Sequence, residues 1–291
     1  MKLATAAYPL DWFDTWSDFE AKLTDWVARA AGQGAELLVF PEYAAMELVS
    51  LSGEAVAADT PAAMRAVSDR MQDANALHRD LARAHGVHIL GGSASVVLAD
   101  RVVNRAHFHT PGGDTVFQDK MVMTLWERDQ MKVSGQGPLK VFDTALGTIA
   151  INICYDSEFP LLARAQRDAE LLLIPSTTEA AEGYWRVRIG AQARALEAQC
   201  VTVMSSTVGP YPKLDLLETS HGAGGVFGPP DKGFPADGVI AAGSANAPGW
   251  VYADVDLDTI RAVRAAGNVR NRAHWSEAET GLEPVERIDL R

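Results

Sequence analysis

A cysteine directly follows a strongly apolar segment near the middle of the chain. Residues 147–153 include three isoleucines, and β-branched residues in such a run are typical of a buried strand. Cys154 comes next, and Pro160 beyond it fits the first turn of a helix. A thiol at a strand-to-helix junction lies near unpaired backbone N–H groups, which favour the thiolate and can bind an oxyanion. The position indicates a nucleophile, although a cysteine considered alone is more often a small buried apolar residue.

Two charged residues stand at the ends of other apolar segments. Glu42 follows the apolar run 36–40, where partial desolvation raises the pKa of a carboxylate toward the range of a general base. Lys120 follows the predicted strand 115–118 and precedes bulky apolar residues, which indicates a partly desolvated ammonium group. Each of them, taken singly, is more often a solvated charge at a strand end.

Composition limits the classes of function. The chain has 291 residues, of which 47% are hydrophobic, so it can form one large domain or two small ones. A net charge of -12 argues against nucleic acid or an anionic membrane as partner and favours a small molecule or a protein. The only cysteines are Cys154 and Cys200, which makes a disulfide framework implausible and indicates a reducing compartment. Because no apolar run approaches the length of a membrane span, we expect a cytoplasmic protein.

Apolar periodicity predicts alternating strands and helices. The predicted helices are 15–31, 61–85, 160–168 and 184–198, and the predicted strands include 3–7, 36–40, 87–98, 102–110, 115–118, 170–174 and 201–205. Segments 35–42 and 169–176 have nearly the same sequence. We therefore predict an α/β fold of two similar halves that pack sheet against sheet, with helices on both outer faces. Residues 1–270 form one predicted domain and 271–291 a C-terminal tail.

Three short motifs resemble those of one protein family. Phe-Pro-Glu42, Asp-Lys120 and Asn-Ile-Cys154-Tyr-Asp, in that order and at those intervals, resemble the nitrilase superfamily of carbon–nitrogen hydrolases over essentially the whole chain. The resemblance implies an αββα four-layer sandwich, a Glu-Lys-Cys triad, an acyl-enzyme mechanism without metal or organic cofactor, and homodimers formed through one helical face. Glu127 stands where these enzymes carry a second glutamate, and 193–197 resembles their helix motif.

The sequence departs from the family pattern at two places. Ala7-Tyr8 stands in the first strand where members commonly carry Gln. Glu158 replaces the arginine often found in the turn after the cysteine. Both departures bear on the substrate, which the family resemblance alone leaves open.

The resemblance implies a role for each predicted catalytic residue. Cys154 attacks the carbonyl carbon of an amide, and Glu42 takes the thiol proton and returns it to the leaving nitrogen. Lys120 and the backbone N–H of Tyr155 hold the oxyanion, and Glu127 positions the lysine or the substrate nitrogen. The predicted reaction converts a small linear amide to a carboxylic acid and ammonia. N-carbamoyl compounds and nitriles are alternative substrates, while a Cys-His thiol hydrolase and a non-catalytic binding protein are alternative functions.

Residues next to catalytic or loop positions are candidate substrate contacts. They are Tyr43, Trp126, Glu179 and Trp185. Core packing of the aromatic residues and a solvated helix charge for the glutamate explain these positions equally well. The seven histidines show no spacing of metal ligands, so no metal site is predicted.

Overall fold

A computed structural model describes residues 1–135, 137–280, 282 and 285–291. The strands of these residues are β1 (Lys2–Pro9), β2 (Leu37–Phe40), β3 (His88–Val97), β4 (Val102–His109), β5 (Thr115–Asp119), β6 (Val141–Thr144), β7 (Gly147–Ile151), β8 (Leu171–Ser176), β9 (Val201–Pro210), β10 (Thr219–Ser220), β11 (Gly225–Phe227), β12 (Val239–Ala242) and β13 (Gly249–Asp254). The helices are α1 (Trp16–Gly32), α2 (Glu54–Ala57), α3 (Thr60–His85), α4 (Leu125–Asp129), α5 (Pro160–Ala165), α6 (Ala181–Ala198), α7 (Leu257–Ala266) and α8 (Asn271–Glu279). The predicted α/β class is confirmed.

The strands join in the order β5-β4-β3-β2-β1-β9-β8-β7-β6. β3, β4 and β5 are antiparallel neighbours and form the predicted meander. β2, β1, β9, β8 and β7 are successive parallel neighbours. Because parallel strands end at the same edge of a sheet, the segments that follow β2, β7 and β8 are brought together there.

The two halves are joined as well as stacked. Residues 7–9 of β1 pair with residues 206–208 of β9, so the strands of both halves form one continuous sheet. The sequence analysis predicted only face-to-face packing of two sheets. Local periodicity cannot report this edge-to-edge pairing, because it depends on residues about 200 positions apart in the chain.

Alternate residues of the central strands face different layers. Ala4 and Ala6 of β1 and Leu38 of β2 belong to a first hydrophobic cluster, together with residues of α1 and α3. Leu3 and Leu37 belong to a second cluster. The alternation follows from the strand itself, since successive side chains point to opposite faces.

The second cluster lies between the two halves of the sheet. It combines Leu3 and Leu90 of the first half with Ile151 and Leu173 of the second, and with residues of α6 such as Ala191. The order of layers is therefore α1 and α3, the first half-sheet, the second half-sheet, and α6. This is the αββα arrangement that the family resemblance implies.

Side-chain caps explain where the two long helices of the first half begin, and a glycine explains where α3 ends. Thr15 accepts a hydrogen bond from the backbone N–H of Asp18 and forms a capping box before α1. Asp59 caps α3 in the same way, accepting from the N–H of Ala62. Gly86 ends α3 in the left-handed conformation at φ 66°, which glycine adopts without steric cost.

The predicted tail contains a helix. α8 has no buried residue, and it is held through Trp275, which packs against the second cluster, and through an ion pair between Arg272 and Asp168 at 3.5 Å. A helix without a buried face produces little apolar periodicity, which explains why the sequence indicated only a tail. No helix in the described part of the chain is long and apolar enough to cross a membrane.

Candidate active site

Cys154 stands at a strained corner between β7 and a short 3-10 turn, Cys154–Glu158. Its φ is 49°, a left-handed conformation that a non-glycine residue adopts only when its surroundings hold it there. Arg194 of α6 donates a hydrogen bond to the carbonyl of Ser157 at 2.8 Å. Gly190 lets α6 approach the turn closely, since a Cβ there would lie 2.9 Å from the Ser157 carbonyl oxygen. The corner is thus held from behind by α6.

Glu42 stands at a second corner, just after β2. Tyr43 also has a left-handed φ, 57°, and its backbone N–H donates to Ser93 Oγ at 3.1 Å. The bulge of β3 around Gly92 accommodates this corner. A Cβ at Gly92 would lie 2.3 Å from the Pro41 carbonyl oxygen, so only glycine permits the approach. Strand β3 therefore sets the position of the Glu42 side chain.

Asp156 connects the segment after Lys120 to the cysteine corner. Its carboxylate accepts hydrogen bonds from the backbone N–H groups of Met121 and Val122 at 3.1 and 2.8 Å, and from that of Ile153 at 3.3 Å. Met121 directly follows Lys120, and Ile153 directly precedes Cys154. One buried carboxylate thereby fixes two elements of the site relative to each other.

A buried charge cluster forms where these segments meet. Lys120 Nζ lies 2.7 Å from Glu42 Oε1 and 2.7 Å from Glu127 Oε2, and all three side chains are at most 2% exposed. Asn104 of β4 donates from Nδ2 to Glu42 Oε1 at 2.9 Å and to Glu127 Oε1 at 3.1 Å. The backbone N–H of Thr177, after β8, donates to Glu42 Oε2 at 2.9 Å. Every carboxylate oxygen of Glu42 and Glu127 is therefore held by a donor.

The two glutamates of this cluster differ in acidity. Burial raises the pKa of Glu42 above its ordinary value, and the Lys120 charge offsets this only in part. Burial also acts on Glu127, but Lys120 and the hydrogen bonds from Thr124 and Asn104 outweigh it and lower the pKa of Glu127. For Lys120, burial opposes the charged form, yet the two glutamates raise the pKa of its ammonium well above the ordinary value. Lys120 is an ammonium, and Glu42 is the more basic carboxylate.

The protonation state of Cys154 differs from the sequence prediction. We predicted that backbone N–H groups favour the thiolate, but burial and the nearby Glu42 charge raise the pKa of the Cys154 thiol well above its ordinary value. Lys120 opposes this shift without reversing it. The thiol donates to the carbonyl oxygen of Thr177 at 3.6 Å. Burial and the Glu42 carboxylate favour the thiol form, so formation of the attacking thiolate requires a base.

Cys154 opens onto a cavity of about 860 Å³. Trp126 and Glu179, two of the candidate substrate contacts, line it together with Tyr155. Tyr43 and Trp185, the other two candidates, do not line the cavity. Tyr43 is 1% exposed and its hydroxyl donates to Glu127 Oε1 at 3.0 Å, whereas Trp185 is outside the cavity lining and half exposed on α6. Adjacency in sequence did not imply that the side chain faces the cavity.

None of the seven histidines lines the cavity that Cys154 faces. No histidine of this cavity could therefore serve as the base in the alternative Cys-His thiol hydrolase. Among the described residues, no three His, Cys, Asp or Glu side chains are grouped so that they could hold a metal ion.

Sequence reasoning missed three residues of the site. Asn104 left little signal, since it is one of five polar residues in the predicted strand 102–110. Asp156 belongs to the motif around Cys154 but was given no role. Thr177 acts through its backbone N–H and carbonyl, and backbone groups carry no sequence signal.

The model of one protein family, described as carbon-nitrogen hydrolase, matches residues 2–265. The chain belongs to the carbon-nitrogen hydrolase family. The resemblance to the nitrilase superfamily of carbon–nitrogen hydrolases is thereby confirmed.

Similar proteins agree with this family. The hydrolase is 34% identical over 272 residues to a protein named probable hydrolase YhcX from Bacillus subtilis (strain 168). The aligned residues cover 93% of this chain and 52% of that protein. The hydrolase therefore spans about half the length of that relative. A deaminated glutathione amidase from Synechocystis sp. (strain PCC 6803 / GT-S) is 25% identical over 252 residues, covering 81% and 85% of the two chains.

A solved structure supports the fold. A branch 10 member of the nitrilase superfamily from Saccharomyces cerevisiae superposes with a TM-score of 0.69 at 18% identity, covering 91% of this chain and 93% of that one. The nitrilase-like α/β sandwich predicted from the sequence is confirmed.

Proposed function

We propose that this carbon-nitrogen hydrolase converts a small linear amide and water to a carboxylic acid and ammonia, through a thioester on Cys154. The observation that carries the proposal is the buried ammonium of Lys120, held 2.7 Å from both Glu42 and Glu127 next to a cavity that exposes the thiol. Burying one cation between two carboxylates costs desolvation energy, so the cluster is better explained by a function than by stability. Stabilisation of an oxyanion is a function that a buried ammonium can serve.

Acylation begins with the thiol proton. Glu42, whose pKa is raised by burial, takes the proton from Cys154 Sγ while the sulfur attacks the amide carbonyl carbon. The carbonyl oxygen becomes an oxyanion that Lys120 Nζ and the backbone N–H of Tyr155 stabilise. When the carbon–nitrogen bond breaks, Glu42 returns the proton to the nitrogen, which leaves as ammonia.

Deacylation repeats the same transfers with water. Glu42 takes a proton from a water molecule whose oxygen attacks the thioester carbon. The carbon–sulfur bond then breaks, the sulfur of Cys154 takes the proton from Glu42, and the carboxylic acid leaves. Glu42 is the only base required in both halves of the reaction.

Glu127 serves as a positioning residue. Its two oxygens already accept hydrogen bonds from Lys120, Tyr43, Asn104 and Thr124, and its side chain is 2% exposed. A saturated carboxylate with a lowered pKa is a poor base, and it orients the lysine instead. The sequence analysis also considered contact between Glu127 and the substrate nitrogen. Both Glu127 oxygens already accept hydrogen bonds within the protein, which argues against that role.

The substrate panel that tests this function contains small linear amides, N-carbamoyl amines and nitriles. We expect ammonia release with an equal amount of carboxylic acid from at least one amide, and none from the Cys154→Ala variant. Turnover restricted to N-carbamoyl compounds or to nitriles would be consistent with the proposed triad but would contradict the proposed amide substrate. Activity in Cys154→Ala would reject the nucleophile.

A labelling prediction separates the two cysteines. We expect iodoacetamide to modify Cys154, which lines the cavity beside the base Glu42, well before Cys200, which is 1% exposed and does not line the cavity. Peptide mass spectrometry measures the site, and loss of activity should follow modification of Cys154. Faster labelling of Cys200 would contradict the assignment.

Both cysteines are free, which supports a reducing compartment such as the cytoplasm.

We also propose that two copies of the chain associate through α5 and α6. Leu161 of α5 and Trp185, Ile189 and Leu196 of α6 are large apolar residues that are 72%, 50%, 62% and 41% exposed. The spacing of Trp185, Ile189 and Leu196 places these three residues along one outer face of α6. A second copy would cover this apolar patch, which we call the α5–α6 face.

Light scattering tests the dimer at micromolar concentration. We expect twice the chain mass for the parent protein and a shift toward the monomer for Ile189→Glu, which places a charge in the α5–α6 face. The matched control is Val269→Glu, since Val269 is 56% exposed and lies outside that face. A monomeric parent protein would refute the association without affecting the mechanism.

A further inference from the structure

The cavity that exposes Cys154 has an acidic wall. Its carboxylates, among the described lining residues, are Glu158, Glu179, Glu182, Asp215 and Glu218. The guanidinium groups that line it are those of Arg128 and Arg186. Acidic side chains thus outnumber basic ones around the space that the substrate must enter. A wall with this balance attracts cations and repels anions.

Glu158 is the wall carboxylate that is closest in sequence to the nucleophile. It ends the 3-10 turn that begins at Cys154, and a rise of about 2 Å per residue separates the two positions by roughly 8 Å. Its side chain is 24% exposed, whereas four of the wall carboxylates are on exposed residues. Its position allows contact with the far end of a short substrate whose reacting carbon is at Cys154.

The Glu158 carboxylate is poorly paired within the described residues. Its ion-pair partner is Arg186, whose Nε lies 3.7 Å from Glu158 Oε1, beyond hydrogen-bonding distance. The Arg186 side chain is itself 63% exposed. Burial raises the pKa of Glu158, and the charges of Arg186 and Lys120 offset this in part. A partly desolvated carboxylate with a weak partner is stabilised when a cation binds it.

We propose that the substrate carries an ammonium or guanidinium group that pairs with Glu158 while its amide carbon lies at Cys154. This inference rests on the proposed amide hydrolysis and specifies the substrate class. The exposed carboxylates of the wall attract the same cation at longer range. Amides that end in a carboxylate meet repulsion instead.

Three amides of equal chain length test the charge preference. They are 5-aminopentanamide, which is cationic, hexanamide, which is neutral, and the monoamide of adipic acid, which is anionic. We expect kcat/KM for ammonia release to be about twofold to fivefold higher for the cationic amide than for hexanamide, the size of effect that a partly exposed ion pair produces. The anionic amide should be the poorest, and added salt should narrow the differences.

Variants assign the preference to Glu158. Glu158→Gln should bring the ratio of kcat/KM for the cationic amide to kcat/KM for hexanamide close to one, and Glu158→Arg should favour the anionic amide. The control is Glu20→Gln, which makes the same change in net charge at an exposed position of α1. Equal kcat/KM for the three amides, or an equal loss for the cationic and the neutral amide in Glu158→Gln, would overturn the inference.

A binding measurement keeps this test apart from the amide function. Calorimetry on Cys154→Ala with the same three amides reports recognition without turnover. Tighter binding of the cationic amide, with loss of that advantage in Cys154→Ala/Glu158→Gln, supports the inference even if none of the three is hydrolysed by the parent enzyme. Hydrolysis of all three amides with equal binding supports the amide function and rejects the cationic substrate.

Discussion

Replacing Glu42 with glutamine is expected to lower kcat/KM about 10²-fold to 10⁴-fold, the usual contribution of a general base. The amide retains the shape of the side chain and an oxygen for the hydrogen bonds from Lys120 and Asn104, but it cannot accept the thiol proton. The pKa of the Cys154 thiol is raised, so very little thiolate forms without the base. Acylation itself should fail.

Two measurements distinguish this loss from misfolding. Intact-protein mass spectrometry should find no acyl-enzyme in Glu42→Gln within a single turnover, and circular dichroism should match the parent enzyme. Glu20→Gln on the exposed face of α1 serves as the control with the same chemical change. An acyl-enzyme that forms at the parent rate would refute the role of Glu42 in acylation.

The pH profile gives an independent check on Glu42. Its pKa is raised by burial, and the base must be ionised, so parent kcat/KM should fall as the pH drops through a value above the ordinary glutamate pKa. Glu42→Gln should lose this acidic limb. If the limb persists in the variant, it belongs to another group.

Replacing Lys120 with methionine is expected to impair both turnover and stability. Loss of the oxyanion partner should lower kcat about 10²-fold to 10³-fold. Two buried carboxylates lose their cation at the same time, and removing one partner from a buried pair costs about 3–5 kcal/mol in the free energy of unfolding. Lys232→Met, at an exposed position, should change neither quantity and is the matched control.

The loss of stability in Lys120→Met should depend on pH. Without the ammonium, burial and mutual repulsion raise the folded-state pKa of Glu42 and Glu127 above the unfolded value. Groups with a raised pKa favour folding at low pH, and this contribution is lost as the pH rises through the folded-state pKa. Urea unfolding should therefore show a smaller deficit near pH 5 than near pH 8. A deficit that is the same at both pH values would contradict the pairing of Lys120 with these carboxylates.

Most elements of the fold could be predicted from local sequence. Apolar runs and caps marked β1, α1, β2 and α3, because burial on one face leaves a periodic pattern. Helix α7 was missed although Asp256 caps it and Leu257, Ile260 and Val263 are its buried residues. The pairing of β1 with β9 was also missed, since it joins strands that are distant in the chain.

The sequence by itself determined which residues stand at the ends of buried strands. Glu42, Lys120 and Cys154 each follow an apolar segment, and the parallel direction of the strands brings such ends to one edge of the sheet. Family motifs at fixed intervals added the expectation that the three act together. For these positions local pattern was sufficient, because the type of residue and its place after a strand are both written in the chain.

Only the tertiary structure decided how these groups influence each other. The pKa of the Cys154 thiol is raised, against the local expectation, because burial and the carboxylate of Glu42, which follows a distant strand, both disfavour the thiolate. Tyr43 faces the charge cluster and Trp185 faces outward, although both were candidate substrate contacts. Acidity and side-chain direction depend on burial and on neighbours contributed by other segments, and no window of local sequence contains those neighbours.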